Sequence, residues 1–258
     1  MNMWAQKQKQ QGFTIVELLI VVVVIAILAA ITIVAYNGIN DRSRESSAKS
    51  AVQQAYKQVE AKQVTSGAYP VALTDVNIVD GSTTFGYTRL NNNTEMCVSA
   101  QTGTKQFSMQ KGVLLEGDCG QVVASYYNDT TRTNLVVKRA ENRVANNWAA
   151  GSPDPRVPTD SFSAKYEMRI IPPVTDTYTF YTNTDDYAQL IVDGQTVIPW
   201  TAAGVRDATS TTVNLTAGQP VSVEYSMWEN GGLAYATLFW SYTGQARVTI
   251  PASQYLRP

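Results

Sequence analysis

The first pattern in the chain is an unbroken apolar run near the amino terminus. Between Phe13 and Tyr36 only Thr14, Glu17 and Thr32 are polar. At a rise of about 1.5 Å per residue, a helix over this run reaches about 36 Å, enough to cross a hydrocarbon core of roughly 30 Å. The pattern predicts a membrane-spanning helix, and its lone carboxylate is a candidate functional group because charge is costly at that depth.

The helical pattern continues beyond the apolar run on a polar background. Asn37-Gly38 is expected to loosen the helix, and Gly67 and Pro70 are expected to end it. Small apolar residues recur in this part at spacings of four, three and four, namely Ala48, Val52, Ala55 and Val59. Such a stripe predicts one face that packs closely against a sheet.

Short apolar runs separated by turn residues follow and predict strands. The expected strands of this part are 71–73, 83–90, 96–100, 107–109 and 112–116. From residue 121 to 257 alternation of apolar and polar residues is frequent, and Asp193-Gly194 between 189–192 and 196–198 is a strong hairpin signal. The predicted fold class is α+β: a long helix with a small antiparallel sheet, then an all-β sandwich.

Composition and charge narrow the range of functions that the chain can have. The net charge is −1, the pI is about 5.6, and the chain has no histidine. A nucleic-acid partner is therefore not favoured, and the commonest general base and zinc ligand are missing. Because no nucleophile–base set or phosphate loop is visible, we do not expect an enzyme. Cys97 and Cys119 are expected to form a disulfide rather than a metal site, the alternative being two buried thiols.

The amino-terminal segment resembles type IV prepilins and type II secretion pseudopilins. Gly12, Phe13 and Glu17 match their motif of a glycine cleavage site, a phenylalanine and a glutamate at the fifth mature position. The alternative is an ordinary signal anchor that contains Glu17. Lys7 and Lys9 precede the apolar run and favour a cytoplasmic amino terminus.

That resemblance implies processing and assembly. A prepilin peptidase would cut between Gly12 and Phe13, and Phe13 would be N-methylated. The helix would hold the precursor in the inner or cytoplasmic membrane as a single pass and later pack against other pilin subunits in an extracellular pilus. Glu17 would neutralise the new amino terminus of Phe13 and so set the register between subunits.

The carboxyl-terminal half resembles the protective-antigen type lectin-like domain. The pieces that carry this resemblance, in order, are 124–129, Trp148 with 151–155, 162–166, 171–173, 177–194, 215–218, 224–225 and 238–240. Relatives include bacterial carbohydrate-active enzymes, fungal flocculins and epithelial adhesins, in which the domain commonly binds sugars. The two resemblances together divide the chain into a leader, a membrane and filament-core segment, a pilin headpiece and a β-sandwich, at 1–12, 13–36, 37–120 and 121–258.

Asp185 and Asp186 are the centre of the expected chemistry. Adjacent carboxylates repel each other unless a cation or donors compensate, and hard oxygen ligands suit Ca²⁺. In the adhesin branch such a pair is joined by a cis peptide and holds Ca²⁺, which in turn holds sugar hydroxyls. The resemblance offers Asn230 as a further metal ligand by position, and Asp207 as a more remote one. The alternative is a solvated acid pair without a metal.

Aromatic residues complete the expected site. Tyr187 and Trp228 lie beside the acidic loops and are expected to contact a sugar, whereas Trp148, Trp200 and Trp240 are expected in the core. The predicted function is that of a minor or tip pilin with a Ca²⁺-dependent, carbohydrate-binding adhesin domain. The alternative is a structural or assembly-priming pilin, or a secretion pseudopilin, whose sandwich binds protein cargo or nothing.

Overall fold

The computed structural model of the chain describes residues 14–76, 78, 81–200 and 207–258. One long helix, α1 (Ile15–Ser66), precedes a body made of strands. The chain divides into two units, Met1–Ser46 and Ser47–Pro258. Gly12 and Phe13, the predicted cleavage site, lie outside the described residues.

The described part of the first unit is the amino-terminal portion of α1. Its side chains from Ile15 to Ile39 are all exposed, and by length and composition the segment is apolar enough to cross a membrane. The helix begins with a capping box. The backbone N and Oγ1 of Thr14 donate to Oε2 of Glu17 at 2.9 and 2.8 Å, and the Glu17 amide donates to Thr14 Oγ1 at 3.2 Å. Gly38 does not interrupt the helix.

The second unit contains the rest of α1 and all the strands. Ala48, Val52, Ala55 and Val59 are buried as their spacing predicts, and they pack against the first strands of the body. The helix ends at Ser66, and Gly67 follows with a φ of 78°. The predicted position of the helix end is therefore confirmed, because a left-handed residue after a helix favours glycine.

Four strands form an antiparallel meander beside the helix, and we call them the headpiece strands. They are β1 (Thr84–Leu90), β2 (Glu95–Thr102), β3 (Lys105–Gln110) and β4 (Val113–Glu116). The prediction of a strand at 71–73 was wrong. A 3₁₀ helix covers Leu73–Asp75, since the Asp75 carboxylate accepts the backbone amides of Val71 and Ala72 and closes a turn.

The remaining strands form the sandwich. They are β5 (Val122–Tyr127), β6 (Leu135–Glu141), β7 (Ala145–Ala149), β8 (Phe162–Ile170), β9 (Asp176–Asp185), β10 (Tyr187–Val192), β11 (Gln195–Ile198), β12 (Asp207–Thr209), β13 (Val213–Leu215), β14 (Val221–Glu229), β15 (Ala234–Tyr242), β16 (Gln245–Thr249) and β17 (Tyr255–Leu256). A second 3₁₀ helix covers Ala252–Gln254.

These strands lie in two open sheets. The larger sheet has the order β1-β2-β3-β4-β6-β5-β8-β14-β10-β11, with β17 pairing with β8. The smaller sheet has the order β12-β9-β15-β16, with β13 pairing with β9 and β7 with β15. The headpiece strands continue into the sandwich because β4 and β6 pair in parallel at Glu116 and Arg139. The predicted α+β class is confirmed.

Aromatic side chains fill the sandwich core. Trp240 is buried, and Trp148 packs edge-on against Tyr126 and Phe162 at its border. Trp200 was expected in the core, and this was wrong. The residue follows the end of β11 and is 39% exposed, and its ring lies 5.0 Å from the Arg132 guanidinium. The exposure follows from its position beyond the paired part of the strand.

The hairpin expected between β10 and β11 is present. Asp193 and Gly194 connect these strands with φ values of 50° and 76°, the left-handed conformations that a two-residue hairpin turn requires. β10 begins at Tyr187, at the end of the strand away from this turn.

The join between headpiece and sandwich is short and closely packed. Cys97 and Cys119 form a disulfide with their Cα atoms 5.8 Å apart. Gly120 follows and lies against the backbone of Glu141. The buried Arg257 donates from Nε to the Gly120 carbonyl at 2.8 Å and from Nη2 to Ser108 Oγ at 2.9 Å. One side chain therefore binds the join and a headpiece strand together.

Candidate metal centre

The acidic pair lies where the chain crosses between the two sheets. Asp185 is the last residue of β9 in the smaller sheet, and Tyr187 is the first residue of β10 in the larger sheet. Asp186 lies between them, and the Asp185–Asp186 peptide bond is cis. Both aspartates are half-buried at this end of the sandwich.

A third carboxylate, that of Glu229, joins the pair. Glu229 is the last residue of β14, whose neighbour Trp228 pairs in register with Tyr187. One carboxylate oxygen from each of Asp185, Asp186 and Glu229 lies within 4.8 Å of the other two. Sheet pairing thus assembles a three-carboxylate group from residues that are distant along the chain.

The orientation of Glu229 follows from strand alternation. Successive side chains of a strand point to opposite faces, so residues two apart share a face. Val223, Tyr225 and Met227 are all buried in the core, and Glu229 continues this series with no exposed surface. The strand therefore aims a carboxylate into the interior of the sandwich.

The electrostatics of Glu229 are unfavourable for an anion. Burial raises the pKa of Glu229 to about 7, with the charges of Asp186 and Asp185 acting in the same direction and the Gly231 amide opposing them. The Gly231 amide is the nearby donor, but neither oxygen makes a hydrogen bond of normal geometry with the described residues. A buried carboxylate without well-placed donors is costly, and a cation is one way to satisfy it. The three residues therefore fit a divalent metal that prefers oxygen ligands.

The segment after β14 is held to the acidic pair by its backbone. The Asn230 amide donates to Oδ2 of Asp186 at 2.7 Å, and the Asp186 amide donates to the carbonyl of Trp228 at 3.2 Å. The Gly232 amide donates to Oδ1 of Asp160 at 3.2 Å. Asn230 thus contacts the acidic pair through its backbone amide, and its role as a metal ligand stays a prediction.

The two aromatic residues named from the sequence form a stacked pair beside the carboxylates. The rings of Tyr187 and Trp228 are 3.8 Å apart between centroids and 7° from parallel. Each is half-buried. Because each ring covers one face of the other, a ligand would meet the outer face of the stack.

Asp207, the more remote metal candidate, has another partner. Arg247 Nη2 and Asn183 Nδ2 donate to Asp207 Oδ1 at 2.7 and 3.0 Å. The hydrogen bond from Arg247 holds the pKa of the Asp207 carboxyl below its usual value. Asp207 is not part of the carboxylate group found among the described residues.

The sequence reasoning missed Glu229 and Asp160. The alternation of β14 could have identified Glu229, because an acid at a core-facing position of a strand is unusual. Asp160 carries no comparable signal. It reaches the site only through contacts between loops that are 72 residues apart.

Comparison with known proteins identifies both parts of the chain. The PA14 domain family matches residues 119–254, and the prokaryotic N-terminal methylation motif matches residues 7–33. Anti-sigma-I factor RsgI3 of Acetivibrio thermocellus is 31% identical over 130 residues, which is 50% of this chain and 20% of that protein.

Two solved structures have a similar fold. An anti-sigma factor domain-containing protein is 28% identical with a TM-score of 0.52, covering 54% of this chain and 49% of its own. A second such protein, from Clostridium clariflavum, is 25% identical with a TM-score of 0.51, covering 60% of both chains. The chain therefore spans only about a fifth to three fifths of these relatives. Since the PA14 match covers more than half of the sequence, the chain belongs to the PA14 domain family and carries that domain behind an N-terminal methylation motif.

Proposed function

We propose that this protein is a minor or tip subunit of a type IV pilus that displays a Ca²⁺-dependent carbohydrate-binding domain for attachment to surfaces or cells. The observation that carries the proposal is the group of Asp185, Asp186 and Glu229 at one end of the sandwich, in a chain that begins with a methylation motif and an exposed apolar helix.

The amino terminus supports the assembly part of the proposal. The precursor would cross the cytoplasmic membrane once with its amino terminus inside, and a prepilin peptidase would cut between Gly12 and Phe13. The exposed apolar face of α1 would then pack against other pilin subunits in the extracellular filament. Glu17 would set the position of each subunit by neutralising the amino terminus of Phe13.

The carboxylate group supports the binding part. Asp185 and Asp186 would hold Ca²⁺ by side-chain oxygens, and the segment at Asn230 would close the site through its contact with Asp186. When bound, Ca²⁺ takes six to eight oxygen ligands, so sugar hydroxyls can complete its shell. The outer face of the Tyr187–Trp228 stack would receive the apolar face of a sugar ring.

The size of the sandwich supports a minor or tip position. A second β-rich body of this size is difficult to place in every subunit of a close-packed shaft. Several displayed copies would still bind a surface firmly, because linked weak sites gain affinity through effective concentration. Immunogold labelling of isolated pili tests this position. Label confined to tips or sparse sites is expected, and dense label along the whole shaft would contradict it.

A glycan array tests the binding part. The full chain, purified in non-ionic detergent, would be applied with Ca²⁺ and with a chelator. Glycan binding that requires Ca²⁺ and disappears in Asp185→Asn is expected. Asp193→Asn is the matched control, since this exposed acid lies in the hairpin at the other end of β10, where asparagine tolerates a positive φ.

The array also decides between the proposal and its alternative. If no glycan binds in either condition, the adhesin function is wrong. A structural or assembly-priming pilin, or a type II secretion pseudopilin whose sandwich binds protein cargo or nothing, would then explain the chain better.

A further inference from the structure

The least satisfied polar group in the described part of the sandwich is the carboxylate of Glu229. The side chain has no exposed surface, and neither of its oxygens makes a hydrogen bond of normal geometry with the described residues. A buried polar group of this kind calls for a ligand that the protein chain does not itself supply.

The spacing of the carboxylates indicates what that ligand is. Ca²⁺ binds oxygen at about 2.3–2.6 Å, so two of its ligands can be separated by at most about 4.6–5.2 Å. One carboxylate oxygen from each of Asp185, Asp186 and Glu229 lies within 4.8 Å of the other two. One cation can therefore contact all three carboxylates without rearrangement of the strands that carry them.

We infer that Glu229 is a direct ligand of the cation, and that its buried carboxylate forms the inner wall of a three-carboxylate site that fills without sugar. This inference rests on the metal site in the proposed function and extends it to a residue on another strand. Three anionic ligands strengthen binding relative to two, because ligand charge sets the affinity of oxygen sites for Ca²⁺. The cation would also tie the end of β14 to the β9–β10 connection.

A lanthanide measurement tests the inference directly. Tb³⁺ is the probe, added to the full chain in non-ionic detergent, and Trp228 is the excited group because it precedes Glu229 and lies beside the site. Emission sensitised by tryptophan and displaced by Ca²⁺ is expected in the wild type. Glu229→Gln should weaken the binding of both Tb³⁺ and Ca²⁺ about tenfold or more. Even the loss of a residue that only hydrogen-bonds to a metal ligand typically lowers metal affinity by that factor.

The matched control is Glu224→Gln on the same strand. Glu224 lies on the opposite face of β14, is half-buried, and pairs with Lys165 Nζ at 2.9 Å. The chemical change is identical, but the residue is outside the carboxylate group. We expect its affinity for Tb³⁺ to stay within about twofold of the wild type, because a surface ion pair of this kind is worth little.

Thermal unfolding supplies a second readout that a purely structural role would not reproduce. In chelator, Glu229→Gln should melt at a higher temperature than the wild type, because it removes a buried charge without a partner. In Ca²⁺ the wild type should have the higher Tm, since it gains stability from the bound cation and the variant does not.

The outcomes separate the inference from the proposed function. A folded Glu229→Gln variant that binds Tb³⁺ like the wild type overturns the inference and leaves the aspartate pair untouched. If this variant fails to fold, Glu229→Asp replaces it: weakened binding is expected because the carboxylate is retracted, and wild-type affinity would overturn the inference. Absence of Tb³⁺ binding to the wild type overturns the inference and the Ca²⁺ site together. Cation binding that Glu229→Gln weakens, without any glycan binding, supports the inference while the adhesin function fails.

Discussion

Replacing Gly120 with alanine would test the close approach that joins the headpiece strands to the sandwich. A Cβ at this position would lie 2.7 Å from the backbone nitrogen of Glu141, and closer still to its carbonyl carbon and oxygen. These are backbone atoms of a paired strand, so no side-chain rotation can relieve the overlap. Either β6 or the join must move.

The expected loss of stability follows from the contacts that Glu141 makes. It pairs with Val122 in the β5–β6 ladder, and its carboxylate accepts hydrogen bonds from Tyr126, Arg139 and Asn146 at 2.5, 2.9 and 3.0 Å. Overpacking costs about 1–3 kcal/mol, and each weakened hydrogen bond adds about 0.5–1.5 kcal/mol. We expect a loss of about 3–4 kcal/mol, or roughly 6–16 °C in Tm for a unit of this size.

The assay is thermal unfolding of the full chain in detergent, followed by tryptophan fluorescence so that the sandwich is observed rather than the apolar helix. Gly81→Ala is the matched control, because a Cβ on Gly81 meets nothing within 4 Å. Its Tm should stay close to that of the wild type, since a surface change without contacts is usually worth less than about 0.5 kcal/mol. Equal Tm values for the two variants would refute the reasoning.

Four further outcomes are expected. Glu17→Leu should remain in the membrane but fail to enter filaments, and normal incorporation, measured by immunoblot of sheared pili, would refute the role of this carboxylate. Replacing Cys97 and Cys119 with serine should cost about 3 kcal/mol in a urea titration, given their separation of 22 residues. Trp228→Ala should weaken glycan binding about threefold to tenfold while the Ca²⁺-induced rise in Tm persists. Chelation should lower the Tm of the wild type but not of Asp185→Asn, and equal shifts would argue against a metal at this pair.

Local patterns predicted those parts of the fold that depend on neighbours in sequence. The stripe at Ala48 and Val52 and the left-handed Gly67 predicted the buried face and the end of α1. Asp193 and Gly194 predicted a hairpin because few residue pairs tolerate its two positive φ values. The sequence erred at residues 71–73, where the Asp75 side chain competes with strand pairing for the backbone amides.

The candidate site was predicted only in part. Asp185 and Asp186 are adjacent, so their chemistry could be recognised from the chain itself and from the resemblance. Glu229 comes to the same place only because β14 pairs with β10, which sets Trp228 opposite Tyr187. Which strands pair is a long-range choice that periodicity does not encode, since every strand has the same repeat of two.

The sequence by itself determined that the chain has an apolar helix with one carboxylate, a β-rich body and an acidic pair in a loop, because each of these is a property of consecutive residues. The tertiary structure alone decided that Glu229 faces the acidic pair and that Asp207 forms an ion pair with Arg247. It also decided that β4 pairs with β6 and so joins the headpiece strands to the larger sheet. These depend on the order of strands in the sheets, which is fixed by the burial of the whole core and not by any one segment.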